Sequence, residues 1–218
     1  IQTVGEVHKL MGFAPLAWLV DRQDAKNQAL AHDQLLRLAY ALQREYLHNN
    51  TRCYVLTSIK PQGGTTSLCL ELSRVLNQLG IRSLAVECNA FKPDSGYGET
   101  TQGLAQLFGS TRLPEQLAEF ILPATESLPP RLALGQSSQR YLITQGRFPE
   151  VMDALKNTFD MVFLDCPPIL LSADTELVGS LADGVLVVIG ARQLHAGELK
   201  RAMRFLERVK PSLIATVL

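Results

Sequence analysis

The sequence predicts an α/β protein: a parallel β-sheet covered by helices on both faces, in three layers. Three observations carry this. Short runs of Val, Leu and Ile recur without polar alternation. Stretches with helical apolar spacing alternate with them. The residues with chemical potential gather where the apolar runs end. Strands buried on both faces read as continuous apolar runs, and parallel neighbours need a helical crossover.

Each element has its own signal. "DAKNQALAHDQLLRLAYALQREYLHNN" spaces Leu35, Leu38, Ala39, Leu42 and Leu47 as a helix does and stops at Asn49-Asn50. "RCYVLTS" is a strand, and the helix from Thr66 to Leu79 ends against Gly80. "RSLAVEC" is the next strand. "QGLAQLFG" and "LPEQLAEFIL" are short helices, and "ESLPPRLALGQ" is a Pro-broken connector into a brief strand, "RLALG". "FPEVMDALKNTF" (helix) and "DMVFLDCPP" (strand) follow, then "TELVGSLA" (helix) and "DGVLVVIG" (strand). "AGELKRAMRFLERVK" (helix) and "SLIATVL" (strand) close the series. No internal repeat or low-complexity segment appears. "KLMGFAPLAWLVDR", broken by Pro15 and holding the sole tryptophan, Trp18, reads as a small strand or loop packed on the domain. Residues 1–27 are therefore expected to be an extension and residues 28–218 the domain.

Composition narrows the function. Lysine plus arginine and aspartate plus glutamate number 21 each, so the net charge is zero. No long run of one sign is present, which argues against a nucleic-acid partner, because nonspecific binding there runs on positive charge. No apolar stretch reaches the ~18–20 residues of a membrane helix. The chain opens on Ile1 rather than Met, so it is expected to be a piece of a longer protein. The four cysteines, Cys53, Cys69, Cys88 and Cys166, match no zinc or disulfide spacing and read as buried thiols. The four histidines share no motif.

In parallel sheets ligands bind at the carboxyl ends of the strands. Three segments with chemistry fall there: Ser58 to Ser67, Glu87 to Pro93, and Asp165 to Pro168. The first joins a strand, a Gly-rich turn and a hydroxyl-rich helix start, the way chains build a cradle for phosphates. Its candidate ligands are Lys60, Gly63, Gly64, Thr65, Thr66 and Ser67. Yet where such a loop carries Gly-Lys-[Ser/Thr], this one reads Gly64-Thr65-Thr66. In "MVFLDCPP", Asp165 ends a buried strand, where a carboxylate is costly unless it meets a partner, ligand or metal.

The stretch "FDMVFLDCPPILLSADTELVGSLADGVLVVI" resembles the second nucleotide-binding motif (Walker B) of bacterial tyrosine kinases of exopolysaccharide synthesis. Asp165, Pro167, Pro168 and Ala182-Asp183-Gly184 carry the likeness. "TQGLAQLF" and "HKLMGFAPLAWLV" resemble further family segments, so the likeness runs in order along nearly the whole chain. These kinases are the cytoplasmic part of polysaccharide co-polymerases and share a P-loop NTPase fold with cell-division and partition ATPases. The resemblance implies that Thr66 and Asp165 would hold Mg2+.

The departures fall at the chemical positions. Thr65 replaces the phosphate-binding lysine. The family's Asp-x-Asp-x-Arg appears as Glu87-Cys88-Asn89-Ala90-Phe91, followed by Lys92. Glu87, Asn89 and Asp165 are thus vestigial catalytic positions. Lys60 lies where partition ATPases carry a second lysine; its alternative is a solvated loop side chain. The ring-forming Glu-x-x-Arg-x-x-Arg of the kinases has become Gln34-x-x-Arg37-x-x-Tyr40. A tyrosine-rich tail is not seen before Leu218.

The resulting expectation is a catalytically inactive, kinase-like domain of a membrane-anchored polysaccharide co-polymerase at the cytoplasmic face of the bacterial inner membrane. It would self-associate and contact the polysaccharide synthesis and export machinery, reaching the membrane through segments outside this chain. ATP or ADP with Mg2+ would bind weakly at best. The alternatives are an active tyrosine autokinase using Lys60 or Lys92, and a partition-type ATPase.

Overall fold

The computed structural model describes residues 27–111, 113, 115–136, 146–189 and 195–209, and the backbone of 213–217. The expected extension up to residue 26, Trp18 and Tyr141 lie outside the described residues.

The elements follow the apolar pattern. Helix α1 (Gln28–Asn49) precedes strand β1 (Cys53–Ser58), α2 (Thr65–Gln78) and β2 (Ser83–Glu87). After a 3-10 turn at Ser95–Tyr97 come α3 (Leu104–Leu107), α4 (Leu117–Phe120) and β3 (Arg131–Leu132). Then α5 (Phe148–Thr158), β4 (Met161–Asp165), α6 (Ala173–Leu181), β5 (Gly184–Val188), α7 (Ala196–Val209) and β6 (Leu213–Val217) complete the order. Four expectations shrink or shift. "QGLAQLFG" and "LPEQLAEFIL" each keep only four helical residues, "RLALG" only two strand residues, and α6 starts two residues earlier than its apolar spacing suggests. In α6 the Ser172 hydroxyl accepts the Asp174 N–H, and that cap, rather than hydrophobicity, sets the start.

The six strands lie in the order β3-β2-β4-β1-β5-β6, and every pair is parallel. From β1 the chain crosses toward β2; from β4 it crosses the other way, over β1, to β5. Crossovers of one hand running in opposite directions put their helices on opposite faces. Accordingly α1 and α2 pack Leu38, Leu42, Leu72 and Leu76 against Tyr54, Leu56 and Phe163. Helices α5, α6 and α7 pack Val151, Val178 and Phe205 on the other face, against Val55, Leu164 and Val185. The rings of Tyr54 and Phe163, on neighbouring strands, stack at 5.7 Å. Alternation along each buried strand thus feeds two cores.

The register brings the functional ends together. Glu87 of β2 pairs with Asp165 of β4, Leu56 of β1 also pairs with Asp165, and β1 runs on to Ser58. At the opposite end of the sheet, Asp183 secures the entry to β1: its Oδ2 accepts the N–H groups of Arg52 (2.9 Å) and Cys53 (2.8 Å). Losing a part-buried acceptor leaves two donors unmet, at a cost of about 1–3 kcal/mol. Asp183→Ala should lower the unfolding free energy by that amount in urea melts, and Asp183→Asn, which keeps an acceptor, by clearly less. Equal losses in the two variants would mean that charge, not the pair of hydrogen bonds, matters here.

Candidate functional site

The loop from Ile59 to Gly64 leaves β1 at the point where the crossovers diverge, which is where parallel sheets open a crevice. Its path depends on two left-handed residues, Gln62 (φ 63°) and Gly64 (φ 78°). Gly63 is required by space: a Cβ there would lie 2.5 Å from the Ser58 Cβ. The Ser58 hydroxyl donates to the Lys60 carbonyl at 2.6 Å and tightens the turn. Helix α2 then begins at Thr65, with the Leu68 N–H reaching the Gly64 carbonyl at 3.0 Å. The positive end of α2, with the amide groups of its first turn, faces the crevice, an arrangement suited to an anion.

The candidate cations are Lys60 and Lys92. Thr65 is buried at the start of α2, while Ser67 is exposed. Lys60 is paired with α7: its Nζ lies 2.9 Å from Glu198 Oε1. The His195 N–H, followed by Lys60, holds the Glu198 carboxyl below its usual range. Lys92 is exposed on the turn after β2.

The acids are buried and individually partnered. Glu87, 3 % exposed, accepts the Asp94 N–H on one oxygen (2.5 Å) and the Leu134 N–H on the other (2.8 Å). Burial raises its pKa, and these two amide bonds oppose the rise. Asn89 is not joined to it; its Oδ1 accepts the Lys92 N–H and closes the local turn, leaving Phe91 43 % exposed. Asp165, 2 % exposed, is hydrogen-bonded by the side chains of Thr66 and Tyr97. Burial nevertheless dominates and pushes its carboxyl up to about 7, with Glu87 and Asp94 adding repulsion. Among the described residues no group of three or more His, Cys, Asp or Glu side chains converges as a metal site.

The double proline does more than end a strand. Neither residue has an N–H, so the ladder stops, and the turn is fastened to β1 instead. The Pro167 carbonyl accepts the hydroxyls of Thr57 (2.7 Å) and Thr175 (2.9 Å), and the Ile169 N–H donates to the Ser58 carbonyl (2.8 Å). Sequence reasoning missed Thr57, Thr175 and Tyr97. Tyr97 is fully buried, its hydroxyl 3.4 Å from Cys69 Sγ as well as bonded to Asp165. A lone tyrosine in an irregular loop carries no local signal for that role. All four cysteines are buried free thiols, as their spacing suggests.

The structure therefore brings Gly63, Gly64, Thr65, Thr66, Glu87 and Asp165 to one edge of the sheet. It does not bring Lys60 or Asn89 into the same constellation. Gln34, Arg37 and Tyr40 lie apart, on the outer side of α1. There Arg37 pairs with Asp33 at 2.8 Å and Tyr40 is 53 % exposed.

No protein-family profile matches the chain. It is 26% identical over 171 residues to the tyrosine-protein kinase Wzc of Salmonella typhimurium, covering 73% of this chain and 22% of Wzc. It is 22% identical over 179 residues to the tyrosine-protein kinase CpsD of Streptococcus agalactiae, covering 80% of this chain and 77% of CpsD. The matched region is thus under a quarter of Wzc and about three-quarters of CpsD. Among solved structures, the kinase domain of the Escherichia coli tyrosine kinase ETK superposes with a TM-score of 0.86 at 18% identity, over 99% of this chain and 93% of that one. The chain's relatives are bacterial tyrosine-protein kinases, and its fold is the α/β P-loop NTPase type.

The buried aspartate has a pH signature. An acid whose pKa rises from 3.8 unfolded to about 7 folded keeps a proton in the native state that the unfolded chain has released. Its contribution to stability therefore falls as pH rises between those values and then levels. Asp165→Asn lacks this loss. In urea melts from acid to pH 8, the variant should gain on the parent protein through that window and hold its advantage above it. A variant that loses ground instead would show that the ionised carboxylate stabilises the fold.

Proposed function

We propose that this chain is a catalytically inactive, kinase-like domain of a membrane-anchored polysaccharide co-polymerase. It acts at the cytoplasmic face of the bacterial inner membrane, through contacts with itself and with the synthesis and export machinery. Its role there is to regulate exopolysaccharide polymerisation, chain length or export. The observation that carries this reading is the missing cationic half of the site. Thr65 stands where the lysine would be, and Lys60 is paired with Glu198 on α7.

The fit to Mg2+·ATP is partial. The loop backbone, Gly64 and the start of α2 suit a phosphate, and the Thr66–Asp165 pair suits a metal-bound water. The rest does not suit transfer. Phosphoryl transfer depends on placed positive charge around the γ-phosphate, and the loop position that would supply it is Thr65. Glu87 has both oxygens taken by backbone amides, which supports a role as a strut rather than a base or metal ligand. The surviving Thr66–Asp165 pair is the one observation that favours the active-autokinase reading.

Two measurements separate the readings. Calorimetric titration with ATP or ADP plus Mg2+ should give no submicromolar dissociation constant. Thr65→Lys should tighten nucleotide binding about tenfold or more, since one charge-assisted phosphate contact is worth roughly 1.5–3 kcal/mol. Autophosphorylation on tyrosine should stay absent in both proteins, because Glu87, Asn89 and Phe91 are unchanged. Phosphotyrosine formed by the parent protein would establish the autokinase instead.

A further inference from the structure

A groove of about 480 Å3 lies beside the nucleotide-type crevice, between the segment after the double proline and α7. Its floor mixes apolar and polar groups: Leu170, Leu171 and the edge of Phe205 line it beside Ser172 and Glu176, and Leu171 is 60 % exposed. Its rim is cationic: Arg201, Arg204 and Arg208 project from α7 at helical spacing. Arg208 forks onto Glu176 of α6 at 2.9 and 3.0 Å and lies over the Phe205 ring. Arg201 and Arg204 are exposed, and neither has a carboxylate partner among the described residues. In a chain of zero net charge this is a local concentration of unneutralised guanidinium beside exposed leucine.

We infer that this groove is a docking site for a short acidic peptide of a partner protein, one that carries bulky apolar side chains between its carboxylates. The charges select the occupant. Guanidinium pairs carboxylates in a two-pronged geometry, and two such pairs on one rim fix the direction of a peptide. The leucine floor needs aliphatic or aromatic side chains to exclude water, and an acidic peptide with apolar anchors supplies both halves. A membrane is flat and does not enter a concavity of this size. A nucleic acid draws on longer basic tracks than this rim provides. The site is separate from the phosphate loop and does not depend on whether the loop binds nucleotide.

A phage-displayed library of random peptides, selected on the folded protein, tests this. Selection should enrich peptides with Asp or Glu flanking Leu, Phe or Tyr. A fluorescein-labelled synthetic copy of the winning peptide should bind in anisotropy titrations. Binding should weaken about tenfold or more in Arg201→Glu/Arg204→Glu, and also on raising salt to about 0.5 M. Leu171→Ser should weaken it at low salt as well. Circular dichroism and melting of these surface variants should match the parent. The proposal is overturned if no acidic–apolar motif is enriched, or if the winner binds the double charge reversal as tightly as the parent. It also falls if the two arginines instead govern binding to anionic phospholipid vesicles, to single-stranded DNA, or to a second copy in sedimentation velocity.

Discussion

Two carboxylates buried side by side at the carboxyl edge of the sheet constrain everything around them. Glu87 and Asp165 occupy paired positions on adjacent strands, each at most 3 % exposed. Buried charge needs donors, and the fold supplies them from several directions. Glu87 draws in the amide of Asp94 from the turn after β2 and that of Leu134 from the exit of β3. Asp165 draws in hydroxyls from the first turn of α2 and from the 3-10 turn. Three otherwise separate segments, the turn after β2 with its 3-10 turn, the exit of β3 and the start of α2, are thereby fastened to two side chains. The turn after β2 and the loop before α2 hold their positions partly because these acids require it.

That arrangement differs from the one phosphoryl transfer asks of a P-loop scaffold. A site for phosphoryl transfer keeps its acids available to metal and substrate and brings a lysine to the phosphates. Here Glu87 faces inward to amides, Thr65 is small and uncharged, and Lys60 is drawn to α7 by Glu198. The same loop geometry survives, with its left-handed Gln62 and Gly64 and its crowded Gly63. Backbone shape and side-chain chemistry have separated, because the shape depends on glycine sterics and the chemistry on a few charged tips.

Much of the architecture was legible in the sequence, and the reason is physical. Continuous apolar runs cannot face water on either side, so they had to be central strands of a covered sheet. Gly80 and the paired prolines after Asp165 marked ends that backbone sterics enforce. The short helices α3 and α4 and the two-residue β3 were overdrawn, since their spacing signal is too brief to separate a turn from a helix. The loop glycines and the acids that end β2 and β4 were also readable, because a strand tip is where a polar residue among Val and Leu stands out. The partners of those residues were not readable. Tyr97, Thr57, Thr175 and the Leu134 amide reach the site from irregular segments or across more than one crossover, and no periodicity points to them.

The strand order also has a kinetic side. The central strand β1 takes both neighbours from far along the chain: Cys53 pairs with Val162, and Tyr54 with Gly184. On a chain synthesised from its amino end, β1 emerges with both edges open, and it stays so until more than half of the domain has followed. Closing such long loops costs entropy before any contact offsets it, which makes non-local parallel pairing slow. During that interval this fully buried strand depends on α1 and α2, its early partners among the described residues, to cover one face. The two helices that lie on the side away from α7 thus serve the nascent chain as a temporary lining for its future core.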